Sequence, residues 1–261
     1  MPNDGSGRRL SSIERTFDII EEIKELDGAR VSELADRLEM PKSTVHNHLT
    51  TLVNRGYLVK YDGEYRLGLD FLNLGRYVKS DWKYEIVESK VHEIAEETGE
   101  RTMFLVEEHG YGIYVFVETP PDVIKPGKWV YKRRSSLHAA SSGKTVLAHL
   151  PEAYARDIVS RHGLPQLTEN THTSIGPLFE EMEVIREQGY ALNREEHMKG
   201  VRSVSAPVFY PDDRFFGALS VAAPVRRLNG DRFRSEIPQL LMGIADEIQL
   251  RLRYASEEVT F

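Results

Sequence analysis

Cysteine is absent from the 261-residue chain, which excludes disulfide frameworks, zinc ribbons and thiol catalysis. No run approaches the ~18 apolar residues of a membrane span, and the first residues lack the apolar core and cleavage site of a secretory leader. A soluble, cytoplasmic protein with no membrane association is expected. Internal repeats and low-complexity tracts are missing as well. The most telling absence is local. Asp and Glu supply 41 residues of the chain, yet Met40 to Tyr61 contains neither, where about three or four would fall by chance. Lys42, Arg55 and Lys60 make that stretch basic inside a chain of formal net charge −7. A surface that must approach phosphate cannot carry carboxylates.

What surrounds the gap patterns as a winged helix-turn-helix. Ser32 is expected to cap a short helix over residues 33–38, with Val31 placed for a hydrophobic staple. Met40 and Pro41 form the turn, and Pro41 suits the first turn of the next helix, where its missing N–H costs nothing. In that helix Val45, Leu49, Leu52 and Val53 make one buried stripe. The opposite face centres on Ser43, Asn47, Thr50 and Asn54, with Thr44, His46 and Thr51 at its flanks. His48 lies toward the buried side. Gly56 ends the helix. These short polar side chains can reach base edges or phosphate with little entropy loss, and a carboxamide at Asn47 can pair bidentately with adenine. Lys42 adds charge at the helix start.

A hairpin follows, Tyr57 to Tyr61 and Glu64 to Leu67 around Asp62-Gly63, a pair favoured in two-residue turns. Lys60 and Arg66 flank it, where they suit minor-groove or phosphate contacts or serve as ordinary solvated wing residues. Ahead of the motif, Ser11 with Glu14 predicts a capping box for a helix with apolar positions Ile13, Phe17, Ile20 and Ile23. Residues 1–10 are polar and expected to be mobile.

The organisation expected is a DNA-binding domain over 11–68, a linker helix over 69–81 and a second domain over 82–261. Leu69, Leu72, Leu74, Tyr77 and Val78 give the linker an amphipathic face. Beyond it the pattern predicts a helix from Glu85 to Thr98 stopped by Gly99 and strands at Thr102–Glu107 and Gly112–Glu118 turning at His109-Gly110. Helices follow near Pro151–Arg161 and Ile175–Gln188, then strands at Val201–Phe209 and Phe215–Ala223, then a long helix near Ser235–Tyr254. That order predicts an α+β fold whose second domain is a half-covered antiparallel sheet, not a doubly wound parallel one.

Other chemistries find less support. Ser142-Gly143-Lys144-Thr145 ends like a phosphate-binding loop, but the first glycine of that motif would fall at His138. Ser141 and Lys144 have the S-x-x-K spacing of a hydrolase nucleophile and base, without the partner motifs. His138, His149, His162, His172 and His197 are scattered, with no helical pair flanking an acid, so no metal or other cofactor is expected. A metabolite sensor acting only through protein contacts is a second class. It has no need of an acid-free helix followed by a basic hairpin. Arginines (23) outnumber lysines (11) in an acidic chain, which is compatible with a salt-adapted cytoplasm. DNA binding there would lean on groove contacts and dimer avidity more than on counterion release.

Six segments in order resemble the IclR family of transcriptional regulators over essentially the whole chain. They are Met40-Pro41-Lys42-Ser43-Thr44-Val45 leading to Leu49-Thr50-Thr51-Leu52; Tyr65-Arg66-Leu67-Gly68; Leu137-His138-Ala139 running to Ser142-Gly143-Lys144; Gly189-Tyr190-Ala191 before Glu195-Glu196; Gly200-Val201-Arg202 before Ala206-Pro207-Val208-Phe209; and Gly217-Ala218-Leu219-Ser220-Val221. The resemblance implies a winged helix that binds operator DNA and a GAF-like C-terminal domain that takes a small effector, often an organic or aromatic acid. It implies dimers or dimers of dimers on pseudo-palindromic double-stranded operators. It also implies an effector pocket lined by Leu137, Ser141, Ser142 and Gly143, by Asn193, by Val201 and Ser203, and by Ser220 and Ala222. Where the family usually has an acid this chain has Asn193, where a hydroxyl is common it has Ala222, and where Arg is common in the recognition helix it has Asn47.

Overall fold

The computed structural model describes residues 10–123 and 136–258, and the chain divides into two compact units that part between Asp81 and Trp82. The mobility expected of residues 1–10 lies, Leu10 apart, outside the described residues. In the first unit α1 (Ser11–Leu26) begins with Leu10 at the N-cap and no side-chain cap, so the Ser11–Glu14 capping box does not form. Its buried residues are Ile19 and Ile23, whereas Ile13 and Phe17 are 51% and 61% exposed. The first two turns of α1 therefore lack the core the stripe was expected to meet. A short strand β1 (Ala29–Arg30), not expected, leads into α2 (Val31–Arg37). Ser32 is the second residue of α2 and caps nothing, because the helix starts two positions earlier than predicted.

The next helix, α3 (Lys42–Asn54), has Pro41 at its N-cap and not inside the first turn; the Pro41 carbonyl accepts the N–H groups of Thr44 and Val45. Val45, Leu49 and Leu52 are buried as the stripe requires, with Val53 packed at the margin. Strands β2 (Leu58–Tyr61) and β3 (Glu64–Leu67) pair antiparallel, and β1 adds to β3. At the hairpin turn Asp62 and Gly63 have φ of 49° and 80°, the positive pair of a turn that matches strand twist. Then α4 (Asp70–Lys79) runs with no buried residue. Phe71 reaches the Tyr57 ring at 5.1 Å.

The second unit starts with α5 (Trp82–Thr98), three residues before its predicted start, and ends that helix at Gly99 with φ 66°. A five-stranded antiparallel sheet follows in the order β5-β4-β8-β7-β6, from β4 (Arg101–Glu108), β5 (Tyr111–Glu118), β6 (Ala191–Arg194), β7 (Val201–Phe209) and β8 (Phe215–Pro224). Strand β6 was not expected. One face packs Phe104, Val204, Leu219 and Val221 against α5 and α9 (Ile237–Glu258), the latter preceded by a π-helical turn at Arg232–Glu236. The other face packs Leu105, Ala191 and Ala218 against α6 (Ser141–His149), α7 (Glu152–His162) and α8 (Ile175–Gln188). The sheet is thus covered on both faces, correcting the half-covered expectation. The element responsible is α6, whose residues Ser141 to Ala148 are all buried. A helix with no solvent face, which buries Ser, Lys and Thr along with Val and Leu, leaves no 3.6-residue apolar stripe in the sequence. Gly143 lets α6 meet the Leu137–Ala139 turn, since a Cβ there would strike the Leu137 backbone. Among the described residues no helix is long and apolar enough to cross a membrane.

Candidate DNA interface and effector site

Helix α3 presents the surface its sequence predicts. Lys42, Ser43, His46, Asn47, Thr50, Thr51 and Asn54 are exposed and Thr44 is half-exposed, opposite the buried Val45, Leu49 and Leu52. Two hydroxyls are already engaged: Thr50 Oγ1 donates to the His46 carbonyl at 2.8 Å and Thr51 Oγ1 to that of Asn47 at 2.9 Å. Toward solvent these threonines offer lone pairs and methyl groups, the latter suited to a thymine methyl. Among the described residues nothing bonds the Asn47 carboxamide. Its two donors and its acceptor face outward. His48 lies at the inner margin, with Nδ1 2.8 Å from Thr16 Oγ1 of α1, a contact that braces α3 against α1.

The wing carries less free charge than expected. Arg66 Nε donates to Glu64 Oε1 at 2.8 Å, an exposed ion pair that neutralises it locally. The Lys60 ammonium stands 5.0 Å from the Tyr65 ring. Sequence reasoning did not foresee the Glu64 pairing, although both residues sit on one strand two apart and so share a face.

In the second unit, register brings most of the expected effector residues into contact. Across β6, β7 and β8, Asn193 lies opposite Ser203 and Ser203 opposite Ala222; one step along, Ala191, Ser205 and Ser220 form the parallel row. Helix α6 is fastened onto these rows by hydroxyl pairs, Ser141 Oγ donating to Ser203 Oγ at 2.7 Å and Thr145 Oγ1 meeting Ser205 Oγ at 2.6 Å. Ser220 Oγ donates to the Met103 carbonyl at 3.4 Å. Asn193 Oδ1 accepts the Glu196 N–H at 2.9 Å. Leu137, Ser142 and Gly143 instead line a cavity with Leu105, Tyr114, Ser136, Ala140 and His197. Its volume is about 10 Å³, room for about one water. Val201 stands half-buried at the start of β7, opposite Pro224. In place of the expected single pocket there are a row of polar residues on the sheet and a separate small cavity.

Lys144 was singled out only as part of a weak S-x-x-K spacing, and the structure gives it another role. Fully buried, its Nζ donates to Glu181 Oε1 at 2.7 Å and to Glu196 Oε1 at 3.0 Å. Glu181 Oε2 meets His172 Nε2 at 2.8 Å, and Glu196 Oε2 accepts the Arg194 N–H. Ser141 is turned to Ser203 and Lys144 to these carboxylates, so a serine–lysine dyad is not assembled. Beside the β6 edge an open cleft of about 720 Å³, also unforeseen, is walled by Glu180, Glu181 and Glu196 with His172 and Arg194. Burial pushes the imidazoles of His138 and His149 below the usual histidine range, against the backbone carbonyls that favour their protonation.

These features coincide with known proteins. The chain matches the model of the IclR helix-turn-helix domain over residues 12–62 and that of the bacterial transcriptional regulator IclR C-terminal domain over residues 77–250. It is 31% identical to a Halobacterium salinarum protein described as probable HTH-type transcriptional regulator ArcR, over 97% of this chain and 98% of that one. It is 26% identical to the transcriptional repressor IclR of Escherichia coli, over 93% and 90% of the two chains. The crystal structure of an IclR homologue from Microbacterium hydrocarbonoxydans in complex with 4-hydroxybenzoate superposes with a TM-score of 0.81 at 22% identity, covering 93% of this chain and 99% of the other. The chain belongs to the IclR family of DNA-binding transcriptional regulators, with a helix-turn-helix domain at its N-terminus and an effector-binding domain at its C-terminus.

Proposed function

We propose that this regulator works in the cytoplasm as a homodimer or a dimer of dimers. Each winged helix, residues 11–68, reads one half-site of a pseudo-palindromic operator, and a small organic acid bound in residues 82–261 alters that binding. The observation that carries the reading is the outward face of α3: exposed, free of acids, and opposite a fully buried stripe. Lys42, Ser43, Thr44, Asn47 and Thr50 meet the major groove, with His46, Thr51 and Asn54 at its edges and Lys60 and Arg66 on the wing. Two-fold symmetry sets the half-sites about one helical turn apart, or a multiple of it.

The dimer is supported by apolar surface that neither unit buries. Leu10, Ile13 and Phe17 on α1 are 59%, 51% and 61% exposed, and Leu69, Tyr77 and Val78 around α4 are 80%, 82% and 68% exposed. Large apolar side chains clustered within one helix in this way suit an association site. Residues 69–81 then link head spacing to the effector domain.

The acid is supported by the hydroxyl-rich row under α6 and by the 4-hydroxybenzoate held by the Microbacterium relative. The open cleft beside β6, with three glutamates in its wall, suits an anion poorly. Uptake requires the Ser136–Gly143 segment to yield, since the cavity there holds no acid as it stands. An electrophoretic mobility shift on the chain's own upstream DNA, with and without a panel of small acids, tests the reading. Retarded DNA whose mobility responds to an acid is expected; no retardation at modest salt would leave only a sensor acting through protein contacts.

A further inference from the structure

The wing sheet carries a cation from outside the hairpin. Arg30 ends β1 and stands directly opposite Glu64 of β3, which stands opposite Tyr61 of β2. The neighbouring row is Ala29, Tyr65 and Lys60, and in it Ala29 and Tyr65 are buried. Successive residues of a strand point to opposite faces, so Arg30 lies on the outer face of the sheet, away from the core. It is exposed, and its guanidinium reaches the hairpin turn: a Cβ built on Gly63 would lie 3.3 Å from Nη1. Among the described residues neither Glu64 nor Asp62 forms an ion pair with it. The Glu64 carboxylate is engaged elsewhere. Its Oε1 accepts from Arg66 Nε at 2.8 Å and lies over Gly28, where a Cβ would strike it. Gly28 is two residues back from Arg30, so the acid leans away from the turn while the guanidinium leans toward it.

The other wing cations are placed differently. Arg66 is neutralised by Glu64, and Lys60 belongs to the inner row with its ammonium near the Tyr65 ring. The hairpin is fastened to the end of α3, where Tyr57 N–H donates to the Leu52 carbonyl at 3.0 Å. When α3 fills the major groove, the wing tip therefore has the adjoining minor groove before it. A guanidinium offers donors only. In the minor groove adenine N3 and thymine O2 accept, whereas the guanine N2 amine sets a donor in its way. Narrow A·T tracts also concentrate negative potential where an arginine can enter, and a guanidinium sheds its water more readily than an ammonium. We propose that Arg30 enters the minor groove beside each half-site and is the specificity-determining residue there, requiring A·T pairs at positions that α3 does not touch. This rests on α3 reading the half-site.

The test is selection of binding sites from random duplex DNA by the full-length wild type, Arg30→Ala, Arg30→Lys and Arg66→Ala. Fluorescence anisotropy then compares the selected site flanked by A·T, G·C or inosine·C pairs. Wild type enriches A·T pairs beside a core motif and binds about 5- to 30-fold more weakly when they become G·C. Inosine·C flanks restore most of that loss, because inosine lacks the guanine amine. R30A keeps the core motif and is indifferent to the flanks. R30K keeps part of the preference, having the charge without the planar fork. R66A keeps all of it, since its charge is already held by Glu64. Arg30→Gln replaces R30A should the latter not fold. An R30A that prefers A·T flanks as strongly as wild type, an R30A that weakens all flanks equally, or a wild type indifferent to its flanks overturns the assignment of Arg30 and leaves α3 standing as the reader. If wild type enriches no duplex, the half-site reading falls, and this inference with it.

Discussion

Asn47 occupies the centre of the exposed face of α3, one turn after Ser43 and less than one turn before Thr50. A carboxamide aimed at adenine specifies a base, so Asn47→Ala should cost about 1–3 kcal/mol of operator binding and relax selectivity at a single base pair. Fluorescence anisotropy against a set of singly substituted operators reads this. A uniform loss across all sequences would make Asn47 a phosphate contact. Lys144 has the opposite character: Lys144→Met leaves Glu181 and Glu196 facing each other in a buried site and should lower stability by about 3–5 kcal/mol in urea denaturation. His138 and His149 both have depressed folded-state values. The unfolded chain therefore takes up protons first, and stability is held above about pH 6.5 and lost as pH falls through that value. The slope reaches at most about 1.4 kcal/mol per pH unit for each histidine. Replacing both with Gln should flatten the lower part of the stability–pH curve.

Legibility followed the range of the interaction. The α3 residues could be placed from sequence because a helical period and a charge gap are local. Lys144 with Glu196, or Arg66 held by Glu64, required partners that no period reveals.

At the scale of elements the same rule separates what the sequence disclosed from what it hid. Helices with one apolar stripe, α3 and α8, and the two hairpins with their Asp-Gly and His-Gly turns emerge at or near their predicted bounds. Helix α6 did not, because burial on every side erases the stripe while its hydroxyls satisfy one another and β7. The short strand β6 offers only four residues of pattern. In α1 the period was legible but the partner was not: Ile13 and Phe17 belong to the apolar set yet find no core within their own unit. Those positions, with Tyr77 on α4, carry the expected dimer contact. Phe17→Glu combined with Tyr77→Glu should reduce the mass of the assembly and weaken operator binding while leaving the melting temperature of the helix-turn-helix unit little changed. Sedimentation measures the first and calorimetry the last; an unchanged mass would move the dimer contact elsewhere.

For the whole molecule the governing fact is a negative chain that keeps its α3 and the strand after it free of acids. Few cations serve each head: Lys42, Arg55 and Lys60 stand there, while Arg66 is spent on Glu64. Two heads then make about six phosphate contacts, and log affinity against log salt should fall with a slope near −5. A slope near −10 would mean that counterion release, and not groove contact, dominates. The family and both domains were legible across the chain because six dispersed motifs keep their order. The ligand was not, because the residues proposed to hold it come from segments far apart in the chain, as where Ser141 of α6 meets Ser203 of β7.

The absence of cysteine makes the most direct measurement possible, since any introduced thiol is unique. Asn54→Cys, on the exposed face of α3, and Glu152→Cys, on the second unit, would each carry a photo-activated crosslinker in complex with operator DNA. Crosslinks from position 54 at one symmetric base position in each half-site, with none from position 152, are predicted; full-affinity binding without crosslinks from position 54 would contradict the claim that α3 reads the groove.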